Sequence, residues 1–155
     1  MSPEIVPVNP EVEALLVEAG LPVSDLSAVP DLGLLGIREH GRLAGVVGLE
    51  VHGHHGLLRS LAVSPACRSA GLGRALVSSA ESWAAGRGVD TLYLLTTTAA
   101  GFFERLGYET LPRTEAPESI RLTRQFSQLC PTSSTFMRKA LGSPEGSPGT
   151  RPGAR

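Results

Sequence analysis

Few features set this chain apart at a glance, and each shortage removes a class of function. Charge of one sign is short: 14 Lys and Arg face 15 Asp and Glu, a formal net charge of −1 over 155 residues. A chain so balanced has no field to steer nucleic acid or an anionic membrane toward it. Long apolar runs are lacking too. None reaches the roughly 18–20 residues that span a bilayer, and the first residues do not set a basic stretch ahead of an apolar one. Cysteine is scarce, and Cys67 and Cys130 make no metal or redox spacing. Reduced thiols in a cytoplasmic protein are the simplest expectation. No internal repeat is visible, and the length suits one domain with one core.

What is present centres on Arg68-Ser69-Ala70-Gly71-Leu72-Gly73. Ahead lies Leu57–Val63, an apolar run that reads as a buried strand; behind lies Arg74–Ala85, which reads as an amphipathic helix. A strand, a small-residue loop and a helix start form an anion site, because free backbone N–H groups and the positive end of the helix dipole converge there. Gly71 and Gly73 let a ligand approach the backbone, and Arg68 and Arg74 add charge-assisted contacts. The expected ligand is a pyrophosphate. A dinucleotide fingerprint needs a third glycine where Leu76 stands, and a Walker loop needs a Lys that does not follow Gly73.

The pattern Arg-x-x-Gly-x-Gly, set after Leu61-Ala62-Val63-Ser64-Pro65 and running into Gly73-Arg74-Ala75-Leu76, resembles the coenzyme A pyrophosphate loop of the GCN5-related N-acetyltransferase (GNAT) superfamily. A second block agrees. Strand-like Thr91–Leu95 and Thr96-Thr97-Thr98 lead to Gly101-Phe102-Phe103-Glu104-Arg105-Leu106-Gly107-Tyr108, which resembles the second signature of that superfamily. Gly107 suits the left-handed position that closes a helix.

The remaining chain fills in an α/β (α+β) architecture. Ile5–Val8 is a candidate strand. Pro10–Ala19 follows as a helix with Val12, Leu15, Leu16 and Ala19 on one face and Gly20 as its stop. Leu21–Pro30 reads as a loop or short helical turn. Leu32–Arg38 and Leu43–Val51 read as strands joined by Glu39-His40-Gly41-Arg42. His52, His54 and His55 tempt a metal reading, but no acid or cysteine lies at ligand spacing, so a solvated turn and no metal is the expectation. Later, Pro117 suits helix position N1, with Ile120, Thr123 and Phe126 as an apolar stripe, and Thr135–Leu141 supplies a final strand. Residues 1–141 thus form the domain, and the Gly, Ser, Pro and Arg tail of 142–155 is expected to be disordered.

The resemblance implies a mixed sheet of about six to seven strands with flanking helices, two parallel strands splayed to hold acetyl-coenzyme A. It gives the phosphate loop, Arg68 to Arg74 (Arg68, Ser69, Ala70, Gly71, Leu72, Gly73 and Arg74), to the pyrophosphate. It gives the backbone of Leu61, Ala62 and Val63, with Thr97 and Phe103, to the pantetheine arm. Attack by the amine is direct, and a backbone N–H stabilises the oxyanion. No metal is implied, and because dimerisation varies across the superfamily, a homodimer is admitted. The string Glu115-Ala116-Pro117…Ile120…Thr123…Phe126…Leu129-Cys130-Pro131 resembles the small acetyltransferases of bacterial arsenic-resistance clusters. That narrower resemblance implies an anionic amino acid, or an amino-acid-like arsenical or phosphinate, as acceptor.

Phe103 stands where many members have a tyrosine that protonates the leaving thiolate. Thr96, Thr97 or Thr98, a water, Tyr108 or no acid at all fills the gap, with water or no acid favoured because a thiol of pKa about 8.5 leaves readily. Glu50, at the end of the third strand, is the carboxylate best placed as base, with a water held by Ser60 as relay. The bland alternative is a solvated strand-end residue. Alternation would put Arg59 and Ser60 on opposite faces of their strand. A charge in an apolar strand is paired or at work. Arg59, with Arg121 on the later helix, is therefore a candidate for a substrate anion, and a salt bridge is the alternative for Arg59. The competing class is an acetyl-coenzyme A sensor that has lost catalysis, which Phe103 keeps open.

Overall fold

The computed structural model describes residues 3–21, 23–24, 26, 32–65, 71–123, 126–127 and 134–141. In chain order the elements are β1 (Glu4–Ile5), α1 (Pro10–Glu18), β2 (Leu32–Glu39), β3 (Arg42–His52), β4 (His55–Val63), α2 (Leu72–Gly86), β5 (Thr91–Thr96), α3 (Ala100–Arg105), β6 (Glu109–Thr110), a 3-10 turn (Arg113–Glu115), α4 (Glu118–Arg121) and β7 (Thr135–Ala140). The strands form one mixed seven-stranded sheet in the order β1-β2-β3-β4-β5-β7-β6.

The chain divides into two units, Met1–Glu50 with Leu58–Ala80, and Val51–Leu57 with Glu81–Arg155. In the first, β2 and β3 pair antiparallel from Leu32↔Glu50 to Glu39↔Arg42. His40 and Gly41 join them with φ of 53° and 78°, the left-handed pair that a two-residue hairpin turn demands. The Asn9 side chain caps α1 by accepting from the Val12 N–H at 2.9 Å. Its apolar face buries Val12, Leu15 and Leu16 with Leu34, Leu43, Val46 and Ala62.

In the second unit β4 and β5 pair in parallel at His55↔Thr91, Gly56↔Leu92 and Leu57↔Tyr93. Strand β7 runs antiparallel to β5 over six positions and to β6 over two. The core here is aromatic: the rings of Tyr93 and Phe136 stack at 5.6 Å, packed with Leu57, Leu111, Ala116 and Ile120.

Helices α1, α2 and α3 end alike. The N–H groups of Leu21, Val89 and Tyr108 reach back to the carbonyls of Leu16, Ala84 and Phe103 at 2.9, 3.0 and 3.0 Å. Each closure turns on a left-handed glycine, Gly20, Gly88 or Gly107.

Several expectations need correction. The first strand covers Glu4–Ile5 rather than Ile5–Val8, and Val6 is already a core residue. Pro117 is the N-cap of α4, not its N1 residue, and α4 is a single turn. Beyond it the Thr123 hydroxyl donates to the Ile120 carbonyl at 2.7 Å and accepts from the Phe126 N–H at 3.2 Å. Strand β6 was not foreseen, because two residues carry no periodicity. The expected disorder of 142–155 and the Cys67 and Cys130 sites fall outside the described residues.

Candidate functional site

Among the candidate loop residues, Arg68, Ser69 and Ala70 lie outside the described residues. Gly71 is described, and it is left-handed with φ of +75° and no described residue within 4 Å of where a Cβ would stand. Its carbonyl accepts from the Ala75 N–H at 3.1 Å, so it opens the fifteen-residue helix α2. Leu72 is buried, Gly73 half-buried and Arg74 exposed. A backbone that stands open at the positive end of a long helix suits a phosphate group. In β4, Leu61 and Val63 are half-buried and Ala62 is buried.

The polar residues of β3 and β4 come together in a way that strand alternation does not foresee. Ser60 sits inside β4 with φ of 59°. A left-handed residue breaks the two-residue period, and the Arg59 and Ser60 side chains meet instead of parting. Arg59 Nε donates to Ser60 Oγ at 3.2 Å, and Nη1 donates to Glu50 Oε2 at 2.8 Å. The side chains of Arg59 and Glu50 are 0% and 3% exposed. Glu50 is therefore neither at the strand end nor solvated, since β3 continues to His52. Gly48 makes room for the pair: a Cβ there would stand 3.3 Å from both Cγ and the carbonyl oxygen of Arg59. The bland reading of Arg59 as a salt bridge is the one observed, buried rather than on an open face.

The thiolate-acid candidates also resolve. Thr96 Oγ1 accepts from the Ala99 N–H at 2.9 Å, a local bond that shapes the entry to α3. Thr97 is exposed. Phe103 is buried, its ring edge-on to Phe102 at 5.1 Å and to Tyr108 at 5.5 Å. The Tyr108 hydroxyl donates to Glu81 Oε2 at 2.9 Å. Burial, with the Glu81 carboxylate beside it, pushes this phenol well above the ordinary tyrosine range. A buried phenol committed to a carboxylate is a poor proton donor to anything else.

Arg121 is exposed at the end of α4. The histidines diverge: His54 Nδ1 lies 3.4 Å from the Gly88 carbonyl, while His55 Nδ1 lies 3.3 Å from Ser119 Oγ and its ring meets Tyr93 edge-on. Among the described residues no group of three His, Cys, Asp or Glu is placed to hold a metal ion. No described helix is long and apolar enough to cross a membrane. Sequence reasoning missed Gly48, Glu81 and Lys139. Only Gly48, a glycine inside an apolar strand, left a local signal.

Comparison with known proteins places this geometry. An uncharacterized N-acetyltransferase of Chlorobaculum tepidum is 40% identical over 63 residues, which cover 41% of this chain and 40% of that protein. The N-acetylglutamate synthase of Neisseria gonorrhoeae, solved with coenzyme A and N-acetyl-glutamate, superposes with a TM-score of 0.73 at 23% identity, covering 92% of this chain and 36% of that one. An acetyltransferase of the GNAT family from Staphylococcus aureus superposes with a TM-score of 0.71 at 17% identity, covering 91% of this chain and all (100%) of that one. The matched stretch thus spans well under half of the curated relative and of the synthase, and the whole of the smaller acetyltransferase. The model of the acetyltransferase (GNAT) family matches residues 9–108, from the cap of α1 through the Gly107 closure of α3, and the chain belongs to that family.

Proposed function

We propose that the chain is an acetyl-coenzyme A-dependent N-acetyltransferase. Its acceptor is a small amine, an anionic amino acid or an amino-acid-like arsenical or phosphinate. The observation that carries the cosubstrate is Gly71, left-handed and open around its Cβ at the entrance to a long helix within the family's matched segment. A fold neighbour holds coenzyme A and N-acetyl-glutamate, an anionic N-acetylated amino acid, which is the product class this reading requires.

The acceptor nitrogen attacks the thioester carbonyl, the C–N bond forms, the C–S bond breaks and coenzyme A leaves as thiolate. Backbone of Leu61–Val63 takes the pantetheine arm and supplies the N–H that stabilises the oxyanion. Loop residues through Arg74 take the pyrophosphate. The acceptor's proton goes to Glu50 by a water held at the Ser60 hydroxyl. Arg59, buried against both, holds this pair in place rather than meeting the substrate. The acceptor's anionic group therefore falls to Arg121, the exposed candidate cation. With Phe103 lacking a proton and Tyr108 committed to Glu81, the thiolate leaves without a dedicated acid.

Thiol release from acetyl-coenzyme A across anionic and cationic amines tests the reading. Turnover is expected with an anionic amino acid and not with polyamines. In Glu50→Gln, kcat/KM should fall about 10²–10⁴-fold. Gly71→Ala is compared with Gly20→Ala, because both glycines have φ of +75° and open space around the Cβ. Equal losses of stability with loss of coenzyme A affinity only in Gly71→Ala support the phosphate site. Unchanged affinity in Gly71→Ala removes it. Phe103, which has no proton to give, favours one second reading, a sensor that binds acetyl-coenzyme A without turnover. Binding with no thiol release for any amine selects it.

A further inference from the structure

Lys139 is the only lysine in a sequence that carries 13 arginines. Its surroundings explain why an ammonium stands there. Nζ donates to Glu81 Oε1 and Oε2 at 3.1 Å each and to the Leu106 carbonyl at 2.8 Å, which uses its three protons. It also lies 5.5 Å from the centroid of the Tyr108 ring. A point charge with three rotatable donors fits this corner, whereas a planar guanidinium would present its donors in a fixed fork. The stem passes Gly107 closely, since a Cβ there would stand 3.4 Å from Lys139 Cε.

Everything this cluster grips is the turn that closes α3. Leu106 caps the helix, and Gly107 and Tyr108 return their N–H groups to Glu104 and Phe103 at 3.1 and 3.0 Å. The Tyr108 ring meets the Phe103 ring edge-on. Lys139 comes from β7 and Glu81 from α2, so the turn is tied to two other elements. A six-residue helix has little stability of its own, and its orientation has to come from such ties.

We propose that Lys139 is a positioning residue for acetyl transfer: through Glu81 and Tyr108 it fixes the end of α3, and so sets where Phe103 stands against the acetyl-coenzyme A arm. The proposal rests on the acetyltransferase reading and adds a role that the reaction itself does not require. It also assigns the Tyr108 hydroxyl to this clamp and removes it from proton transfer.

The test is steady-state kinetics on the full chain with acetyl-coenzyme A and an amine that the wild type accepts, with coenzyme A binding followed by calorimetry. Lys139→Met should raise KM for acetyl-coenzyme A and Kd for coenzyme A about tenfold while kcat stays within about twofold, the scale of one lost charge-assisted contact. Phe103→Ala supplies the readout that a merely structural role would not move. In the Phe103→Ala background, Lys139→Met should add less than about twofold to KM, because residues acting through one another are not additive. Should Lys139→Met fail to fold, Glu81→Gln carries the same cycle. Tyr108→Phe should raise KM by less than Lys139→Met does and keep the pH profile of kcat. An unchanged KM in folded Lys139→Met, or fully additive effects with Phe103→Ala, overturns the proposal. So does a Tyr108→Phe enzyme that loses a limb of its kcat profile, which would make the phenol the acid. Failure of the acetyltransferase reading is seen separately, in a wild type that neither binds coenzyme A nor releases thiol, and it takes the proposal with it.

Discussion

The Arg59–Glu50 pair lies in the first unit and the Lys139–Glu81 pair in the second, and the two differ in how much water they see. In the first unit Arg59 and Glu50 meet at 2.8 Å with side chains 0% and 3% exposed. In the second, Lys139 and Glu81 meet at 3.1 Å with side chains 27% and 19% exposed. The partners differ as well. The first pair leans on Ser60, whose left-handed backbone is itself strained. The second leans on Tyr108 and on a backbone carbonyl at an unstrained glycine turn. Two charges taken wholly out of water are held together by the penalty of separating them, so the first pair is brittle. Two charges at the edge of water have a fallback, and the second pair is adjustable.

Removing Arg59 should have the largest effect on stability. Arg59→Met leaves Glu50 charged and buried, and should lower the stability by about 3–5 kcal/mol in denaturant titrations. Replacing both partners, Glu50→Leu with Arg59→Met, should recover most of that loss. An unchanged denaturation midpoint in the single variant would break the comparison. Lys139→Met should lower stability by less, about 1–2 kcal/mol, because Glu81 keeps Tyr108 and some water. Gly48→Ala sharpens the contrast by pressing a methyl against the Arg59 stem and Leu34, with a loss of about 1 kcal/mol read by thermal unfolding.

The two smallest effects are read through pH. The Tyr108 phenol titrates higher in the folded chain than its ordinary value of 10.0. Its contribution is thus complete below pH 10 and is lost as pH rises from there toward the folded value. Tyr108→Phe should flatten the alkaline limb of the stability profile. Glu11 behaves in the opposite sense. The Leu43 N–H that it accepts at 2.9 Å, aided by Arg38, holds its carboxyl below the ordinary 4.5. Its contribution is present above pH 4.5 and is lost as pH falls through the lower folded value. Glu11→Gln should remove only a shallow part of the acid limb, because the group is exposed and screened by solvent. Loss of the whole acid limb in Glu11→Gln would overturn that expectation.

The legible parts of this molecule are those written in neighbouring residues. Gly20 and Gly107 mark helix ends because a left-handed residue there needs no Cβ, and Gly41 marks the hairpin for the same reason. The strand–loop–helix around Gly71 is legible because the spacing of two glycines is itself the signal. In the C-terminal segment Ile120 and Thr123 are buried and Phe126 half-buried, as the apolar stripe predicts, while residues 124–125 and 128–133 lie outside the described residues.

Sequence alone carried the resemblance to the family, in its glycine and aromatic signatures, and most of the elements, which rest on local backbone preference or on periodicity within one element. Tertiary structure decided which polar residues meet. Glu50 and Arg59 are brought together across a hairpin by a left-handed serine that no propensity favours. Glu81 and Lys139 stand 58 residues apart and meet only because β7 and α2 converge on the closing turn of α3. A charge carries no mark in the sequence of the partner it will find, because that choice is made by burial, which belongs to the packed chain.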